Sequence, residues 1–156
     1  MKAYLDIETD RYGTISVIGV YTEHKGFKQF YGNNITLSNL ERSFMGIQTI
    51  VTFNGDGFDL PVIKRSFNID LKETYHSLDL FKVKRRLGIK GGLKELERLF
   101  GIQRKTVGVN GYKAIKLWES YINSRNLDAL KLLLEYNKED VINLIRLESC
   151  LEGLAF

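Results

Sequence analysis

A chain of 156 residues, 44% hydrophobic and 27% charged, has the size and balance of one globular domain with a substantial core. Its one cysteine, Cys150, excludes a disulfide framework and a cysteine-rich metal site, and no apolar run is long enough to cross a bilayer. The amino terminus, MKAYLDIETD, lacks the apolar stretch of a secretion signal, so a cytoplasmic protein is expected, and the net charge of +4 suits a polyanionic partner.

Strands come first. AYLDIET alternates, with Leu5 and Ile7 facing one way and Tyr4, Asp6 and Glu8 the other. TISVIGVYT is a near-continuous β-branched run, GFKQFYG is a shorter third strand, and the short links between them predict an antiparallel meander. TLSNLERSFMG follows as a short helix, with Ser38 as N-cap, Glu41 completing a capping box and Gly46 closing it. TIVTFNG is a fourth strand, DLPVIKRSF a helix that tolerates Pro61 in its first turn, and YHSLDLF a fifth strand. Beyond Lys90 the period becomes helical. GLKELERLFG carries Leu93, Leu96, Leu99 and Phe100 on one stripe, and YKAIKLWESYI and LDALKLLLEYNKEDVINLIRLESCLEGL continue the pattern. Between them GIQRKTVGVNG has no period and reads as a loop. Residues 1–156 are expected to form one α/β domain, a mixed five-stranded sheet flanked by helices.

Three acidic groups stand out. Asp6 and Glu8, at i and i+2 of a strand, project from one face, where like charges raise each other's pKa unless a cation intervenes. Either a divalent metal relieves them or the strand lies at an edge and meets water. Asp59 follows the fourth strand in FNGDGFDLP, where Gly55 and Gly57 permit a sharp turn, Asn54 can bond its own backbone and Asp56 is the turn residue. Asp59 is then either aimed at a ligand or the N-cap of the next helix. In EYNKEDVINL, Tyr136 and Asp140 share a helical face, near the buried stripe of Leu133, Val141 and Leu144.

Together, DIET, NGDGFD and YNKED resemble the three motifs of the DEDD superfamily of 3′–5′ exonucleases, which has a ribonuclease H-like fold. The middle motif is most similar to the proofreading domains of family B DNA polymerases and to small ribonuclease H-like proteins. The resemblance spans residues 4 to about 145. It implies that Asp6, Glu8, Asp59 and Asp140 bind two divalent cations, Mg²⁺ or Mn²⁺. Tyr136 would mark the tyrosine subtype and position the attacking water; the histidine subtype would need a histidine where Glu135 stands. With little chain beyond the third motif, a free-standing nuclease core is expected. An all-oxygen ligand set agrees with magnesium or manganese, and such a site is expected to be slack until metal and substrate arrive.

The implied partner is the 3′ end of a single-stranded DNA or RNA. Lys84, Arg85, Arg86 and Lys90, in the basic run from Lys82 to Lys94, and Arg104 and Lys105 in the following loop are then candidate phosphate contacts. Tyr12 and Phe58 are candidates for stacking on terminal bases, although Phe58 also reads as core. Thr9 lies in the segment that would hold the 3′-hydroxyl, and Asn54 belongs to the second motif. Asp79 reads as a structural group bonding near that motif, His76 as a surface or supporting residue, and Trp118 and Tyr121 as packing. A catalytically silent binding module and an RNA-processing endonuclease on the same fold are the alternatives.

Overall fold

The computed structural model describes residues 1–154. Five strands, β1 (Lys2–Thr9), β2 (Ile15–Thr22), β3 (Gly26–Tyr31), β4 (Thr49–Thr52) and β5 (His76–Asp79), form one sheet in the order β3-β2-β1-β4-β5. The first three are antiparallel neighbours, whereas β4 and β5 add in parallel. This is the mixed, ribonuclease H-like arrangement expected. It puts β1 in the middle of the sheet, so Asp6 and Glu8 are not the wet side of an edge strand.

Both faces of the sheet are covered. Ala3, Leu5 and Ile7 of β1 pack with Ile18, Val20 and Ile50 under α1 (Leu37–Ser43) and α2 (Asp59–Phe67). On the opposite face lie α3's successors: after α3 (Leu71–Thr74) come α4 (Leu80–Arg86), α5 (Leu93–Leu99), α6 (Gly111–Ser124) and α7 (Leu127–Leu154). Val17 packs there with Trp118 and Leu133, and Val51 with Leu96, Leu144 and Leu147. Each such leucine, once buried, contributes about 1.5–3 kcal/mol. Because side chains alternate along β1, Asp6 and Glu8 point to the face that α7 covers. The long helix therefore lies across the two acids.

Four local readings need correction. The N-cap of α1 is Thr36, which accepts from the Asn39 N–H at 3.1 Å, while Ser38 lies inside the helix and accepts from Arg42. The fifth strand stops at Asp79, whose carboxylate accepts from the Phe81 N–H at 3.0 Å and starts α4, so FKVKRR is helix. Leu99 is exposed rather than part of the α5 stripe. Phe58, read also as core, is 41% exposed.

Candidate active site

Asp6 and Glu8 from β1 meet Asp140 from α7: one carboxylate oxygen of each lies within 4.8 Å of the others. Residues more than 130 positions apart are thus brought together by packing one helix on one strand. Burial and mutual repulsion push the carboxyls of Asp6 and Glu8 well above the ordinary range, and burial raises Asp140 to about 6 despite the Arg104 guanidinium beside it. All donors are carboxylate oxygens, the chemistry that hard divalent cations take.

Asp59 arrives differently. β4 pairs with β1 only as far as Tyr4, so the Ile7 N–H lies beyond the paired stretch, and it donates to Asp59 Oδ2 at 2.9 Å. The FNGDGFDLP turn delivers this carboxylate. Asn54 adopts φ 62°, the left-handed region that Asn tolerates, and a Cβ on Gly55 would overlap the Thr52 side chain, whose Oγ1 accepts the Gly55 N–H at 3.1 Å. Asp79 braces the turn from β5, accepting from the backbone N–H of Asn54 at 2.7 Å and of Asp56 at 3.3 Å, which is the structural role expected of it. Asn54 therefore contributes its backbone angle rather than a side-chain bond. Asp59 is the first residue of α2, not its N-cap. It is buried, and burial raises its carboxyl to about 7. Its oxygens lie outside the set of three that Asp6, Glu8 and Asp140 form.

Tyr136 is buried on the same face of α7, one turn before Asp140. Its hydroxyl accepts from Lys94 Nζ at 3.1 Å, and its ring lies 4.9 Å from that ammonium and 5.5 Å from the Arg104 guanidinium. Burial and the neighbouring carboxylates raise its pKa, so the phenol stays neutral.

Two assigned phosphate contacts do not reach solvent in that role. Lys84 falls four residues after Leu80 on α4, which turns it inward; it is buried with its ammonium 4.6 Å from the Phe81 ring. Arg104 has a side chain only 8% exposed. Its Nε and Nη2 donate to Glu97 at 3.0 and 2.8 Å, Nη2 also donates to Asp140, and Nη1 to Thr106 at 3.4 Å. A guanidinium has five N–H groups, so little is left for a substrate. Arg85, Arg86, Lys90 and Lys105 are exposed, as are Asn54 and Tyr12, the last at 85%; Thr9 is half-buried.

Three of the four acids have hydrogen-bond partners: Arg104 donates to Asp140, the Ile7 N–H to Asp59, and the Asn137 amide to Asp6 at 2.9 Å. Asn137 and Glu97 are supporting residues that motif reading passes over, and Lys94, the last of the basic run, donates to Tyr136. The signal was present: Asn137 lies midway between Leu133 and Val141 on the buried stripe, and Glu97 one turn after Leu93, so each is a polar group facing a core and in need of a partner.

Comparisons with known proteins agree with this architecture. The RNase_H_2 family model, of the RNase_H superfamily, matches residues 3–151. The chain belongs to the RNase_H superfamily. Within the fold, its structure is similar to that of the family B DNA polymerase from the archaeon Pyrobaculum calidifontis, with a TM-score of 0.73 and 17% identity, over 96% of this chain and 24% of the polymerase. It is also 32% identical, over 168 aligned positions, to the uncharacterised protein YprB of Bacillus subtilis. That alignment covers 92% of this chain but 40% of YprB, so the chain spans less than half the length of this relative. No helix among the described residues is long and apolar enough to cross a membrane.

Proposed function

We propose that this RNase_H superfamily chain is a metal-dependent 3′–5′ exonuclease of the tyrosine DEDD subtype, acting on single-stranded DNA or RNA. The observation that carries the reading is the meeting of Asp6, Glu8 and Asp140 within 4.8 Å, beneath a buried Tyr136. Phosphodiesters repel hydroxide, and three carboxylates alone would repel the substrate too. The cluster makes chemical sense with cations, and an all-oxygen donor set fits Mg²⁺ or Mn²⁺.

Asp6, Glu8 and Asp140 would hold the ions, with Asp59 the fourth acid of the set. When bound, a pair of divalent cations supplies a nucleophilic water and charge for the leaving oxygen. The protein does the positioning. Lys94 can only donate, so the Tyr136 hydroxyl accepts from it and keeps its own proton for another partner. That proton is available to orient the attacking water. Tyr12 and Phe58 are exposed aromatic surfaces beside the first and second motifs, suited to stacking on end bases, and Arg85, Arg86, Lys90 and Lys105 supply exposed charge for the strand.

Incubating a 5′-labelled single strand with the protein and Mg²⁺, then adding a chelator, tests the reading. A ladder that shortens from the 3′ end and stops on chelation supports it. Discrete internal cuts would make the chain an endonuclease, and binding without cleavage a silent module.

A further inference from the structure

The first acid, Asp6, is held by a hydrogen-bond chain whose direction is fixed at both ends. Gln29 on β3 donates from Nε2 to the Leu134 carbonyl at 2.9 Å and to Asn137 Oδ1 at 2.8 Å. A carbonyl only accepts, so the Gln29 amide cannot be reversed, and its second hydrogen goes to Asn137. That turns the Asn137 amide nitrogen the other way. It donates to the Asp6 carbonyl at 3.1 Å and to Asp6 Oδ2 at 2.9 Å. Asn137 has 0% of its surface exposed, so it is out of reach of any substrate. The space it occupies exists because β2 carries Gly19 there: a Cβ would overlap Asn137 Oδ1 and come within 2.9 Å of Val141 Cγ2.

We infer that Asn137, oriented by Gln29 and admitted by Gly19, is a positioning residue that aims the Asp6 carboxylate at the metal. The inference rests on the reading of the acid cluster as a metal site. Three consecutive strands, each through a residue more than 100 positions from Asn137 in sequence, converge on one sheet-facing amide, and its bond to Asp6 Oδ2 acts on the carboxylate itself and not on the backbone alone. Groups that hydrogen-bond a metal ligand in this way typically change metal affinity about 10–100-fold when removed. A partner at the second oxygen of Asp6 also leaves the first oxygen to the cation.

The test is Mn²⁺ binding by titration calorimetry, with no nucleic acid present, on the parent chain, Asn137→Ala and Gln29→Met, each checked for folding by circular dichroism. Asn137→Ala is expected to bind Mn²⁺ about 10–100-fold more weakly. Gln29→Met, half-buried on the edge strand and remote from the acids, should weaken it in the same direction by about threefold or more, because the amide loses its orientation. Cleavage assays should show the loss reversed by higher Mn²⁺, with KM for the oligonucleotide unchanged. Should Asn137→Ala fail to fold, Gln29→Met decides. Affinities within about twofold of the parent in both folded variants would overturn the inference, since a supporting group is expected to exceed that. A parent that binds no Mn²⁺ overturns it as well. A parent that binds Mn²⁺ tightly, loses affinity in the variants and yet cleaves nothing sustains the inference while defeating the nuclease reading.

Discussion

Arg104 donates from one nitrogen to both Glu97 and Asp140, tying the third acid of the cluster to a buried carboxylate on α5. Asn143 completes the arrangement by donating to Glu97 at 3.0 Å, and Glu139 fixes the loop by accepting the N–H groups of Lys105 and Thr106 at 2.6 and 2.7 Å. A segment without sequence period thus carries a permanent cation into the acid site.

That geometry separates Arg104 from the exposed cations. Arg104→Gln should lower kcat by about 10–100-fold while leaving KM and its salt dependence near those of the parent. It should also cost about 3–5 kcal/mol of stability, because Glu97 is left buried without a counter-charge, held by Asn143 alone. Removing Lys105 or Arg86 should instead raise KM and reduce the slope of log affinity against log salt by about one. Steady-state kinetics at several salt concentrations check both.

Asp6→Asn or Asp140→Asn should reduce cleavage by about 10³-fold or more, equivalent to about 4 kcal/mol of transition-state stabilisation. Fold should survive, and in the metal-free protein thermal unfolding should move upward as repulsion is relieved. Turnover within about tenfold of the parent, or about 1.4 kcal/mol, would show that the acids were wrongly assigned.

Tyr136→Phe removes one hydroxyl from a neutral, buried phenol. Calorimetry with Mn²⁺ should find affinity nearly unchanged, while turnover falls about 10–100-fold, in the range of one lost hydrogen bond to a charged reacting group. An unaltered rate would remove the water-orienting role.

The metal-free protein should be most stable in mild acid. Asp59 and Asp140 have folded-state pKa values raised to about 7 and about 6, above those of an unfolded chain, so the folded state binds more protons through this window. Their contribution is therefore full below about pH 4 and lost as pH rises through 6 and 7. Asp6 and Glu8 act in the same direction. Melting in a chelator should fall across that range, and added Mg²⁺ should flatten the decline. A melting temperature that climbs from pH 5 to 8 without metal would contradict the burial of these acids.

Much of this was legible in the sequence, for physical reasons. Alternation in AYLDIET assigns Asp6 and Glu8 to one face, and the glycines of FNGDGFDLP mark a turn that only small residues fit. Helical spacing put Tyr136 and Asp140 together. What could not be read was pairwise. Nothing local says that Arg104 will find Glu97, that Asp59 will take the Ile7 N–H, or that Gly19 makes room for Asn137. Lys84 was misplaced because FKVKRR looks like solvated charge until Asp79 caps a helix there and its period turns that lysine inward.

The central claim is that one anionic pocket seats divalent cations, and anomalous scattering from crystals grown with Mn²⁺ tests it most directly. The account predicts a manganese peak coordinated by oxygens of Asp6, Glu8 and Asp140. Peaks confined to other acids, such as Glu148 and Glu152 beside Lys2, with none between those three carboxylates, would contradict it.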